Sequence, residues 1–276
     1  STPVLAIAYP GQTVRHRPQA HCFSVQLGCP DTLAVQSRIP VVSNFRNKDM
    51  ALGGQGAPLV PPFHRQLFAQ ADQRIAVVNI GGMANVTLLD NGQLTGGFDT
   101  GPGNVLMDSW IQQHRQQAYD RNGDWAASAH PDAALLASLL DDPYFHQPPP
   151  KSTGRERFSR DWLNTQLANH SLPEDVVQAT LAELTAHSIS DALNNFQPDH
   201  VLICGGGAHN QHLLERLQAL LGAPASSTAE HGLDPDWVEA AAFAWLAWAR
   251  MEERTGNAPV VTGASREAVL GQITLP

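Results

Sequence analysis

One carboxylate and two glycine turns are the residues of this sequence whose types and placement could do chemistry together. Asp99 follows the strand-like segment 93–98 (QLTGGF) and precedes Thr100-Gly101-Pro102-Gly103-Asn104. That placement ends a strand and lets the carboxylate project from a rigid edge, where it can take a proton from a hydroxyl or a water within hydrogen-bond reach. It can equally cap the turn at Gly101, and the residues alone leave both uses open. The turns are 79–82 (NIGG) and 203–207 (ICGGG). Glycine lets backbone approach a ligand closely and turn its N–H groups inward, as phosphate cradles require. A plain tight turn has the same composition. Gly205-x-Gly207 lacks the third glycine of a dinucleotide fingerprint, because Asn210 stands there, and no G-x-x-x-x-G-K-[ST] loop occurs. A ribose-binding acid is also missing from the next strand, where 225–228 read ASST.

The elements that must position these residues follow from apolar runs and turn signals. Residues 4–8, 23–27 and 39–42 read as short strands, the first of them buried, and 52–61 (LGGQGAPLVP) as a shaped loop. A short helix over 63–70 then leads out of a first domain, 1–70. The second, 71–276, opens with a buried strand at 75–80, a hairpin partner at 84–89, the turn Asp90-Asn91-Gly92 and a returning strand 93–98. Asn104 takes the N-cap position of the next helix. After a helical middle broken at Pro148-Pro149-Pro150, a helix over 176–193 carries Val177, Leu181, Leu184 and Ile189 on one stripe. Residues 200–204 form a buried strand that delivers the second glycine turn. Asn210 caps a helix with Leu213, Leu214, Leu217, Leu220 and Leu221 on its buried face, and a last helix spans 237–250.

Composition narrows the class. The chain has 276 residues, a formal net charge of −9 and only 17 scattered Lys and Arg residues, which argues against a nucleic-acid partner. ATP is not excluded, since its phosphates are usually held by backbone N–H groups and a metal ion. Three cysteines without a C-x-x-C pair make a poor disulfide or zinc framework, so the expected location is cytoplasmic. No apolar stretch approaches the roughly 20 residues of a membrane span, and no membrane partner is expected. The histidines show no paired metal spacing and are assigned to surface or satisfied core. Trp237, Trp245 and Trp248 are assigned to packing rather than stacking.

Seven motifs in order carry a resemblance: 52–61 (LGGQGAPLVP), 79–85 (NIGGMAN), 98–104 (FDTGPGN), 151–156 (KSTGRE), 178–185 (QATLAELT), 204–207 (CGGG) and 261–265 (VTGAS). Together they resemble the anhydro-N-acetylmuramic acid kinase family, over nearly the whole chain. The resemblance implies an α/β, two-lobe fold of the actin/hexokinase (ribonuclease H-like) type. ATP and a small-molecule sugar then meet between the lobes, Mg²⁺ screens the phosphates, and no residue is assigned as a metal ligand. The implied reaction opens the 1,6-anhydro ring and phosphorylates O6, in peptidoglycan recycling, with a homodimer left open. Asp99 matches the aspartate that activates water at the anomeric carbon. Asn79, Gly81 and Gly82 would face the phosphates, and Gly205, Gly206 and Gly207 the nucleoside. Gln12, Thr13, Arg46, Gly101, Asn104 and Glu239 would face the sugar. Glu239 also reads as a first-turn glutamate favoured by the helix dipole, and Arg155 and Arg157 either contact an anion or form a solvated basic loop.

The resemblance has gaps. The family's N-terminal glycine-rich phosphate loop has no counterpart, so the first lobe is expected to be incomplete, with the chain starting downstream of that loop. Pro10 replaces the His of a family His-Gly-Gln-Thr, Cys29 replaces the Asp of a Gly-Asp pair, and Asn44 the Asp of Asp-Phe-Arg. These departures keep a second reading in play: a catalytically inactive or truncated member of the fold that at most binds nucleotide or sugar.

Overall fold

The computed structural model describes residues 3–18 and 23–276. In chain order the elements are β1 (Ile7–Tyr9), β2 (Gln12–Arg17), β3 (Phe23–Leu27), α1 (Pro30–Ser37), β4 (Val41–Ser43), α2 (Asn47–Ala51), α3 (Pro61–Phe68), β5 (Arg74–Ile80), β6 (Met83–Asp90) and β7 (Gln93–Pro102). There follow α4 (Val105–Arg115), α5 (Ala133–Leu140), α6 (Arg160–Leu167), α7 (Glu174–Leu193), β8 (His200–Cys204), α8 (Gln211–Leu220), β9 (Ala225–Ser227), α9 (Val238–Met251), α10 (Pro259–Thr262) and β10 (Gln272–Thr274). They make two compact units. One gathers the described residues through Ala69 with Gln93–Gly96 and Trp237–Pro276; the other holds Gln70–Gly92 and Gly97–Asp236. The division expected from sequence was 1–70 and 71–276; here the segment from Trp237 onward folds with the first unit.

That first unit is built on a three-stranded sheet in the order β1-β4-β10, with β1 parallel and β10 antiparallel to β4. Its core joins Val42, Phe45 and Leu59 to Phe243, Leu246 and Ala247 of α9 and to Leu270. Here the sequence reading of residues 4–8 fails. Pairing starts only at Ile7, and Val4 and Leu5 are 64% and 70% exposed. A strand with a neighbour on one edge has less to cover its side chains than a central one. The separate hairpin of β2 and β3 places Gln12 opposite Leu27 and Thr13 opposite Gln26.

The second unit has a five-stranded sheet in the order β7-β6-β5-β8-β9. β5 and β6 form the antiparallel hairpin, while β8 runs parallel to β5 and β9 parallel to β8. This mixed order, an antiparallel meander continued by parallel strands across helices, is the actin/hexokinase type of α/β sheet. The Asp90-Asn91-Gly92 turn has both Asn91 and Gly92 at positive φ (47° and 78°), the mirror-image turn that matches strand twist. α7 is covered on nearly every side, polar Gln178, Thr180 and Glu183 included, so its four apolar positions are part of a central helix rather than a single stripe. Asn210 caps α8 as expected, its Oδ1 accepting from Leu213 N at 3.0 Å. Leu213 and Leu217 form the buried line of that helix, with Leu214, Leu220 and Leu221 only partly covered.

Candidate active site

The two glycine turns meet because their strands are neighbours. β5 and β8 run parallel with Asn79 opposite Cys204, so both turns leave the same end of the sheet side by side. Close packing then explains the glycines. A Cβ on Gly205 would lie 2.4 Å from Asn79 Oδ1, and one on Gly207 would lie 2.3 Å from Ile80 Cγ2. Gly205 also sits at φ +79°, where a side chain is strained. Gly206 is exposed and faces open space apart from Asn104 Nδ2, 3.8 Å from its ideal Cβ position.

A third segment, from the end of β7 into α4, locks the first turn. Gly103 N and Val105 N donate to Gly82 O at 2.9 and 3.1 Å, and Asn104 N donates to Gly81 O at 2.8 Å. Asn104 occupies the expected N-cap position, but its side chain makes no capping bond; Nδ2 instead donates to Ile80 O at 3.2 Å. It therefore ties the helix start to the end of β5. Gly101 is buried against Phe145 and Ser188, and its requirement is close packing within the unit.

Asp99 lies inside β7, which continues to Pro102, and not at a strand end as its turn-like sequence suggested. Nor does it cap Gly101. Its Oδ2 accepts from Thr153 N at 2.9 Å, its N–H donates to Lys151 O at 3.1 Å, and its carbonyl accepts from Tyr144 Oη at 2.7 Å. Burial pushes its pKa up to about 6, and the single Thr153 bond only partly opposes that. The segment 151–157 thus straps the carboxylate. Two cations hold the strap: Lys151 lies 4.8 Å over the Tyr144 ring, and Arg157 pairs with Asp142. Farther along the strap, the Arg155 guanidinium rests against Gly82, with Nη2 and Nε 3.2 and 3.4 Å from the ideal Cβ position. The same short segment therefore touches both Asp99 and the first glycine turn.

The remaining sugar-facing candidates belong to the other unit. Arg46 Nη1 donates to Gly56 O at 2.8 Å, which places it under the LGGQGAP loop. Burial lowers its pKa, while the nearby Glu239 carboxylate of α9 raises it. Arg46 and Glu239 are thus brought together, and Glu239 is exposed in the first turn of its helix. Gln12 is exposed, and Thr13 Oγ1 accepts from Gln26 Nε2 at 3.3 Å. Gln26 in turn donates to Ser24 Oγ at 2.6 Å, and Ser24 lies 3.0 Å from His16 Nδ1.

His16 is the residue the sequence reading missed. Burial lowers its pKa, and the Arg46 charge lowers it further, so it stands as a neutral imidazole next to a cation. A β-bulge between Thr13 and Arg15 breaks the period of two and turns His16 to the face of Thr13, so no regular spacing marked it. Asn44 sits at φ +56°, a conformation asparagine tolerates better than most residues. Cys29 is the exposed N-cap of α1, its Sγ accepting from Thr32 N at 3.4 Å. Among the described residues there is no group of three or more metal-ligating side chains, and no helix is long and apolar enough to cross a membrane.

Comparison with known proteins agrees with the motif series. A family model described as anhydro-N-acetylmuramic acid kinase matches residues 1–276. The anhydro-N-acetylmuramic acid kinase of Shewanella amazonensis is 54% identical over 97% of this chain and 74% of its own length. That of Pasteurella multocida is 50% identical over 98% of this chain and 73% of its own. Among solved structures, the activator of the 2-hydroxyisocaproyl-CoA dehydratase from Clostridium difficile with bound ADPNP aligns with 79% of this chain and 72% of that one, at a TM-score of 0.44 and 14% identity. The chain belongs to the anhydro-N-acetylmuramic acid kinase family.

Proposed function

We propose that the chain carries the second-lobe chemistry of an ATP-dependent kinase that opens the 1,6-anhydro ring of anhydro-N-acetylmuramic acid and phosphorylates O6. The reading rests on family membership, and one observation supports its chemistry: Asp99 is a strapped, mostly buried carboxylate with a single hydrogen-bond donor among the described residues. With a pKa near 6 it is ionised at neutral pH and close enough to neutrality to accept a proton. In the proposed step Asp99 takes a proton from water as the water oxygen bonds to C1. The C1–O6 bond breaks, O6 bonds to the γ-phosphorus, and ADP leaves. The product is N-acetylmuramic acid 6-phosphate, which places the reaction in cell-wall recycling in the cytoplasm.

Gly81 and Gly82 face the phosphates in this reading, Gly205 to Gly207 the nucleoside, and Arg46 and Glu239 the sugar. Mg²⁺ needs few protein ligands when a triphosphate supplies the rest, often one or two carboxylates. Asp108, in the first turn of α4, is one acid of this unit that would be free to hold it, with Asp99 kept for the water proton. The ion would screen phosphate charge.

The test is ADP release coupled to formation of the sugar 6-phosphate, with anhydro-N-acetylmuramic acid as substrate. Turnover that Asp99→Asn abolishes is the expected result. Nucleotide or sugar binding with no turnover above Asp99→Asn would instead assign the chain a binding role.

A further inference from the structure

The first glycine turn is short of donors for an anion. Gly81 N is spent on Met83 O, and Gly103 N, Asn104 N and Val105 N are all spent on the turn's own carbonyls, which leaves Gly82 N as the turn's glycine N–H without a partner among the described residues. A phosphate placed there would lack most of the backbone N–H groups that usually cradle one. Something else must supply positive charge.

Three cations stand on the strap, and two are committed. Lys151 Nζ donates to Tyr144 O and Phe145 O at 3.2 and 3.3 Å. Arg157 is paired with Asp142 and lies 5.4 Å over the Tyr144 ring. Arg155 forms no hydrogen bond or ion pair among the described residues; it is exposed, and its guanidinium lies against Gly82. The absence of a side chain at Gly82 is what admits the guanidinium to the turn. Asp108, in the first turn of α4, feels the Arg155 charge electrostatically without pairing with it.

We propose that Arg155 is the cation that meets the γ-phosphoryl group at the Gly81–Gly82 turn and neutralises the charge that develops on it during transfer. A guanidinium suits this role because its planar fork donates to two phosphate oxygens at once and stays charged at every working pH. Asp108 is its counter-charge before the triphosphate arrives. The inference rests on the phosphate-facing role proposed above for Gly81 and Gly82. The strap then serves the reaction at both ends, one holding the carboxylate and the other bringing a cation to the group that moves.

Arg155→Ala and Arg155→Lys test it, by steady-state turnover and by calorimetric titration with ADP and with the non-hydrolysable β,γ-imido analogue of ATP. Arg155→Ala is expected to lower kcat by about 100-fold or more, within the range for a cation on a transferring phosphoryl group. It should weaken the imido analogue at least tenfold while changing ADP affinity by less than about threefold, because ADP has no γ-phosphate. Arg155→Lys should recover part of the loss, and guanidinium ion added to Arg155→Ala should recover some turnover. Equal binding of the imido analogue by parent and Arg155→Ala, or turnover within about threefold, would overturn the inference and leave the kinase reading standing. A parent chain that binds neither nucleotide would overturn the phosphate-facing role, and this inference with it.

Discussion

Asp49 in the first unit and Asp99 in the second are both carboxylates largely withdrawn from water, and the two are treated in opposite ways. Asp49, in the first unit, is fully buried, and three donors surround it: Gly56 N, Asn257 Nδ2 and Thr262 Oγ1, each at 2.7 Å. Asp99, in the second, keeps some exposure and receives only Thr153 N among the described residues. A carboxylate with its lone pairs filled is a structural node, because every donor gained offsets lost hydration. One left under-bonded holds its charge less well and remains able to take a proton. Burial alone does not distinguish them. Donor count does: it fits the base role proposed for Asp99 and makes Asp49 the one that fixes the loop over Arg46.

Exchanging each acid for its amide should separate these roles. Asp99→Asn is expected to reduce turnover by about 1,000-fold or more, since the amide cannot accept the water proton. The Thr153 bond survives in that variant, so its melting temperature should stay within a few degrees of the parent's. Asp49→Asn should do the reverse to stability. The amide nitrogen would face donors, at a cost of roughly 3–5 kcal/mol for a buried charge-assisted network. A calorimetric scan of both variants checks the contrast; equal loss of stability in the two would erase it.

The next effect is a pH dependence, and its sign runs against the usual acid. Folding raises Asp99 from the ordinary carboxylate value of 3.8 to about 6, so between these values the folded chain binds more protons than the unfolded one. The contribution of this group to stability is therefore full below about 4 and is lost as pH rises through 6. Activity goes the other way. A pH–rate profile should climb about tenfold per unit below 6 and flatten above it. A flat acid limb would remove Asp99 from the base role.

What was legible beforehand depended on distance along the chain. β3 and β8 were read to the residue and β5 to within one, because runs carrying β-branched or aromatic residues end there at a glycine. β7 ran longer than read, since Asp-Thr-Gly-Pro has turn composition yet lies extended and mostly buried. The need for glycine at 205 and 207 could be suspected, but its cause, packing on Asn79 and Ile80, comes from strands more than a hundred residues apart. The strap over Asp99 and the return of α9 to the first unit leave no local trace in composition. His16 was set aside for the same reason, as its partner Arg46 is remote in sequence.

A smaller change sharpens the donor-count argument. Thr153→Pro removes the N–H that Asp99 Oδ2 accepts and leaves the carboxylate without that bond. With burial then unopposed, the pKa should move further up, and the acid limb of the rate profile should shift to higher pH. An unmoved limb would mean that Thr153 does not set this carboxylate.

The smallest effect lies at Cys29, where the resemblance leads one to expect an aspartate. The position is an exposed helix N-cap, with the thiol pKa lowered chiefly by the hydrogen bond from Thr32. Aspartate is among the preferred cap residues because its oxygen accepts the same N–H more strongly and its charge suits the helix start. Cys29→Asp is therefore expected to raise the denaturant midpoint slightly and to leave turnover unchanged, as read from denaturant melts and steady-state rates. A gain in turnover would mean that the acid at 29 reaches substrate, and the first unit would then hold a chemical carboxylate of its own.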